Sequence, residues 1–174
     1  MYFPSKERPE MPTTLPVPIE FRLPEGWFPA RPEVLDTQGV AFAAVHAQPD
    51  AGFTANITIH GDLPPDGVTL AELADKSAER LREVAESVVV TDRREVGSAD
   101  APALTQCLTF SSAVGGMRRD LVQSQVYLSL LDAQDPCRRA VIRLTLTTTA
   151  AQYESVLGDF QDFVRTVRPD TGRD

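Results

Sequence analysis

Three long runs in the second half of the chain alternate residue character with a period of two, and this pattern restricts the fold more than any other feature. In the first, Leu104, Gln106, Leu108 and Phe110 oppose Thr105, Cys107, Thr109 and Ser111. Gly115-Gly116 follows, a pair suited to the positive φ angles of a tight hairpin turn. The return run, Arg119 to Leu131, sets Val122, Val126, Leu128 and Leu130 against Gln123, Gln125, Tyr127 and Ser129. In the third run, Ala140 to Thr148, Ile142, Leu144 and Leu146 point inward and Arg143, Thr145 and Thr147 outward. Successive side chains of a strand leave on opposite faces, so each run presents an apolar face to a core and a polar one away from it. Strands joined by a two-residue turn are antiparallel neighbours.

The first half carries shorter versions of the same signal. Ile19 to Leu23 alternates and stops at the turn Pro24-Glu25-Gly26-Trp27, whereas Val40 to Ala47 is apolar on most of both faces. Ala55 to His60 alternates cleanly, with Ile57 and Ile59 inward and Asn56, Thr58 and His60 outward, and pairs with the run before it as a hairpin. Val88 to Val96 is a further β-branched strand.

Two segments switch to helical spacing. Thr69 and Glu72 form a capping box ahead of Leu70, Leu73, Ser77, Leu81 and Val84, which predicts a helix running to about Ser87. Thr149 and Gln152 repeat the capping spacing, and Tyr153, Val156, Leu157, Phe160, Phe163, Val164 and Val167 form the strongest helical stripe, stopped by Pro169. Strands in runs, with helices inserted singly, give the α+β class: a mostly antiparallel sheet of about six or seven strands with two main helices. The expected organisation is an extended Pro-rich arm over residues 1–17, one domain over 18–169 and a tail over 170–174, with Met1 or Met11 as the start.

Composition removes several classes of function. Seventeen basic against 25 acidic residues leave a net charge of −8, which repels nucleic-acid phosphates. No apolar run approaches the roughly 20 residues that cross a bilayer, and the N-terminus lacks the apolar core of a leader, so the expected location is the cytoplasm. Cys107 and Cys137 are too few for a disulfide framework and belong to no CxxC pair; a single bridge between them stays open.

Catalysis needs convergent, oriented groups, and the sequence frames none. His46 sits at a strand end and His60 beside Gly61-Asp62. A metal or small-ligand site can be drawn from His60, Asp62 and Cys107, but no metal-ligand spacing or nucleophile elbow accompanies them, and Gly115-Gly116 opens a strand where a phosphate loop opens a helix. The expectation is therefore a protein without catalytic residues, cofactor or metal. One feature stands apart: Asn56, Thr58 and His60, Thr105, Cys107 and Thr109, Gln123, Gln125 and Tyr127, and Arg143, Thr145 and Thr147 are all assigned to one polar side of the sheet. If both helices cover the apolar side, that polar side is open to a partner.

Phe21-Arg22-Leu23-Pro24-Glu25-Gly26-Trp27 resembles the F-x-L-P-x-G-W opening of PsbP-like proteins, and the apolar helix closing on Phe163-Val164-Arg165-Thr166-Val167-Arg168-Pro169 is similar to their ending. The resemblance covers roughly residues 15 to 169. It implies an α/β/α sandwich without a shared active site, used mostly to bind proteins, in a group that includes photosystem extrinsic proteins, a Ran-binding protein, LpqN-type actinobacterial lipoproteins and Eag-type secretion chaperones. The chain departs from the lipoproteins in its leader and from the Eag type in the polarity of its sheet. With only Lys6 and Lys76 for lysines and many alanines and arginines, it fits a high-GC, actinobacterial source. Together these give a binding or adaptor module using Trp27, His60, Gln125, Tyr127 and Arg143, with a secretion- or envelope-related protein or a second copy of the chain as partner.

Overall fold

The computed structural model describes residues 15–31, 40–99, 101–114, 116–131 and 139–169. The expected arm up to residue 14, the tail, and Cys137 with its pairing to Cys107 lie outside the described residues. In chain order the elements are β1 (Ile19–Glu20), β2 (Trp27–Ala30), β3 (Val40–His46), β4 (Asn56–Asp62), α1 (Leu70–Val84), β5 (Glu86–Gly97), β6 (Pro102–Val114), β7 (Met117–Leu131), β8 (Arg139–Thr149), α2 (Tyr153–Thr166) and β9 (Arg168–Pro169). This is the α+β class with a seven-stranded sheet, ordered β2-β3-β4-β8-β7-β6-β5, every pairing antiparallel.

The long alternating runs form the centre and one flank of that sheet. Val114 opposite Met117 closes the β6–β7 hairpin across residues 115 and 116, with Gly116 at φ +77°. The register that follows places Gln106 opposite Gln125 and Cys107 opposite Ser124. Thr105, Cys107 and Thr109 thus share a face with Val126, and the expectation that they stand beside Gln125 is corrected. Alternation divides one strand into two faces, but only the register joins those faces to its neighbour's.

The helices lie on opposite faces of the sheet. Val156, Phe160 and Phe163 of α2 pack with Ile57, Ile59, Val126, Leu144 and Leu146, while Ala74 of α1 packs with Leu104, Tyr127 and Val141. Adjacent residues of one strand, Val126 and Tyr127, belong to the two different cores, which fixes the layering α/β/α. The polar side is therefore not open: α1 lies over much of it. The small residues Ala74, Ser77 and Ala78 form the buried stripe of α1 and let its backbone come close to the sheet.

Three local differences have simple causes. Ile19–Glu20 pairs with Arg168–Pro169 outside the main sheet, and the turn Pro24-Glu25-Gly26-Trp27, closed by the Trp27 amide donating to the Pro24 carbonyl at 3.3 Å, leads into Trp27–Ala30, an edge strand beside β3 that the sequence did not announce. A strand that short leaves too little alternation to read, and the proline in each pair sits where edge strands accept one. α1 stops at Val84, because Ala85 turns extended and Ser87 adopts φ +57° at an irregularity in the β5–β6 pairing. The Thr149 hydroxyl accepts from the Gln152 amide at 3.1 Å, but α2 begins after that turn, at Tyr153. The capping box at Thr69 and Glu72 forms in full. Leu15 packs against the core and Val17 is buried, so the last residues of the expected arm lie on the domain.

Candidate functional site

Beneath α1 a chain of polar side chains runs across the sheet. Arg93 on β5 donates from Nη1 to Asp75 of α1 at 2.7 Å and from Nε to Gln106 Oε1 at 2.8 Å. Gln106 Nε2 donates to the Ala74 carbonyl at 3.2 Å and to Gln125 Oε1 at 3.0 Å, and the Tyr127 hydroxyl donates to the same oxygen at 2.9 Å. Gln125 Nε2 donates to Ser77 Oγ at 3.0 Å and to Gln123 Oε1 at 2.6 Å, and Gln123 reaches Thr147 Oγ1 at 3.1 Å. Gln106, Gln125 and Tyr127 are each only 2% exposed, a degree of burial that polar groups tolerate when their bonds are made. The network ties α1 to four strands.

The network opens at one end into a pocket of about 150 Å³, lined by Ser77 of α1 and by side chains of β4, β7 and β8, among them His60, Arg143 and Thr145. The register builds this wall, with Thr58 opposite Thr145, His60 opposite Arg143, and Tyr127 opposite Arg143 on the other side. Among the described residues no carboxylate lines the pocket. Among the described residues five buried side-chain polar atoms have no partner within the protein, and three of them belong to this wall: His60 Nδ1, Arg143 Nε and Thr145 Oγ1. Arg143 Nη1 lies 3.4 Å from Ser77 Oγ, and among the described residues neither Arg143 nor Arg80 is ion-paired.

Burial pushes the His60 imidazole down from its usual value to about 4, and the positive charges of Arg143 and Arg80 push the same way. His60 is therefore neutral at pH 7. Because its folded value lies below its unfolded one, the stability this neutrality confers is complete above pH 6.5 and is lost as pH falls from there through 4. In an NMR titration the His60 ring should show a midpoint near 4, and a His60→Gln variant should lose less stability than the parent between those pH values. A midpoint near 6.5 would show that the ring is open to water.

Among the described residues, no acid–base or nucleophilic arrangement assembles around the pocket. The Ser77 hydroxyl accepts from Gln125 and Arg143, makes no bond to His60, and among the described residues no carboxylate orients the imidazole. Cys107 lies on the other face, its sulfur 3.8 Å from the Tyr153 hydroxyl, so it does not join His60 and Asp62. No group of three or more His, Cys, Asp or Glu residues suited to a metal occurs among the described residues.

Of the residues singled out from the sequence, the structure brings together His60, Gln125, Tyr127 and Arg143. His60, Gln125 and Arg143 line the pocket, while Tyr127 lies behind it in the network. Trp27 stands apart: it is 4% exposed on the α2 side, edge-on to His46, with its indole Nε1 donating to Asp159 at 3.0 Å. Sequence reasoning missed Ser77, Gln106 and Arg80. Ser77 carried a signal, being a polar residue on the apolar stripe of α1. A second and larger hollow, about 630 Å³, lies along α2 between Tyr153, Leu157 and Val164 and the β5–β6 flank of the sheet.

No protein-family model and no curated protein matches the sequence. Solved structures match closely in fold. LpqN of Mycobacterium tuberculosis superposes with a TM-score of 0.62 at 12% identity, covering 93% of this chain and 91% of that one. The Ran-binding protein Mog1p of Saccharomyces cerevisiae gives 0.56 at 16% identity over 88% of this chain and 92% of its own. The cyanobacterial PsbP of Synechocystis gives 0.54 at 15% identity over 87% and 86%. The chain has the PsbP-like fold, and no helix among its described residues is long and apolar enough to cross a membrane.

Proposed function

We propose that this chain is a non-enzymatic binding module that receives a polar group of a protein partner in the pocket between α1 and the sheet. The carrying observation is the half-buried Arg143, whose Nε has no partner within the protein and whose pocket holds no opposing charge among the described residues. An unpaired cation in such a place costs stability unless something compensates it, so a fold that retains one has it available for a ligand. The size of the pocket favours a protein over a free metabolite: about 150 Å³ takes the tip of a side chain, well below the roughly 300–1,000 Å³ of sites that enclose a small molecule. The company of the fold agrees, since Mog1p is a Ran-binding protein and LpqN is involved in cell envelope biogenesis. A protein of the cell envelope or of a secretion system is the partner class this reading favours.

Affinity capture with the purified chain tests it. Arg143→Gln and Arg80→Glu, one inside the pocket and one on the exposed α1 surface close by, should reduce recovery of the specific partner about tenfold or more, as charged contacts in interfaces do. Arg165→Glu on α2 should leave it unchanged. Equal recovery by all three variants, each folded by circular dichroism, sinks the proposal.

A further inference from the structure

We propose that the pocket under α1 is a carboxylate-receiving site, in which Arg143 clasps the anion through the Nε side of its guanidinium and Thr145 Oγ1 donates alongside. The inference rests on this pocket being the ligand site and adds the chemistry of what enters it. Arg143 spends Nη1 on Ser77 and leaves Nε–H without a partner, and a guanidinium fork engages a planar anion through parallel N–H bonds. Thr145 is 5% exposed, lines the same pocket and keeps a buried hydroxyl without a partner. Arg80 adds a second positive charge near His60, and among the described residues no acidic side chain lines the pocket to compete.

The counts favour a carboxylate over a phosphate. His60 is neutral near pH 7, so one half-buried cation lines the site and one exposed cation stands near His60, which suits a single negative charge better than a dianion. The amides of Asn56, Gln123 and Gln125, with the Thr58 and Thr147 hydroxyls, surround it with neutral polar groups. A net charge of −8 disfavours free anions at long range, and salt screens that repulsion beyond about 8 Å. A carboxylate carried on a protein is brought within that distance by the rest of its interface, which makes an Asp or Glu side chain or a chain terminus the expected source.

The test is an NMR titration of the full chain, following the Arg143 Nε–H and His60 ring signals at constant ionic strength. The probes are acetate, a blocked tetrapeptide containing one Asp, its Asn counterpart and inorganic phosphate. Acetate and the Asp peptide should give saturable shifts, at least tenfold weaker in Arg143→Gln and reduced in Thr145→Val, with the Asn peptide inert. Because an anion beside Arg143 offsets its charge, the same carboxylates should move the His60 midpoint up from about 4. Tighter binding of the peptide than of acetate assigns a protein-borne source, and the reverse assigns a free acid of the same class. Linear shifts shared by the parent and Arg143→Gln overturn the proposal, as does phosphate binding more tightly than either carboxylate. Saturable binding of acetate with partner capture unchanged in Arg143→Gln would sink the functional reading alone. Capture lost in that variant without any saturable carboxylate shift would sink the carboxylate alone.

Discussion

Alanine at Gln125 should lower the unfolding free energy by about 4 kcal/mol, the sum of a few stranded buried polar groups at roughly 1–3 kcal/mol each, partly relieved by water. The side chain accepts from Gln106 and Tyr127 and donates to Ser77 and Gln123, so its removal strands groups on α1, β6 and β7 at once. A surface amide would cost a few tenths. Gln123→Ala provides the contrast, because Gln123 is half-buried at the pocket end of the network and should cost about 1 kcal/mol. Urea denaturation of the two variants decides between a continuous network and a set of independent contacts. Near-equal midpoints would show that the bonds beneath α1 do not act together.

The opposite face should respond to truncation by a different mechanism. Phe163→Ala should cost about 3–5 kcal/mol, transfer and cavity terms together. Phe163 is fully buried, and its ring meets Phe21 edge-on at 5.4 Å and Phe160 at 6.3 Å. Phe21 follows β1 directly, so the loss should also loosen the β1–β9 pairing, visible as faster amide exchange at Ile19 before the rest of the sheet yields. A cost below 1 kcal/mol would mean that α2 can collapse into the space.

The long alternating runs, the Thr69 capping box and the apolar stripe of α2 were legible because each is set by local chemistry repeated over many residues. Which side of the sheet each helix covers was not. Ser77 reads as one polar interruption of an apolar stripe, and only the fold shows that it meets a Gln125 that is polar for the same reason. The pairing of Gln106 with Gln125 depends on the register set by the β6–β7 hairpin, which period-two patterning leaves free. The shared polar face of His60 and Arg143 was legible because they stand on strands that alternate cleanly. Trp27 was misleading: an aromatic residue next to a Pro-Glu-Gly turn looks exposed, whereas the short edge strand it begins turns it inward against Asp159 of α2.

The polar pocket under α1 and the longer hollow beside α2 lie on opposite faces of the sheet, and each offers a partner a surface. Hydrogen exchange of the chain with and without its captured partner separates them most directly. New protection is expected at β4 and β8 around His60 and Arg143 and in α1 from Ser77 to Arg80, with the exchange of α2 unchanged. Protection confined to α2 and the β5–β6 flank would contradict it.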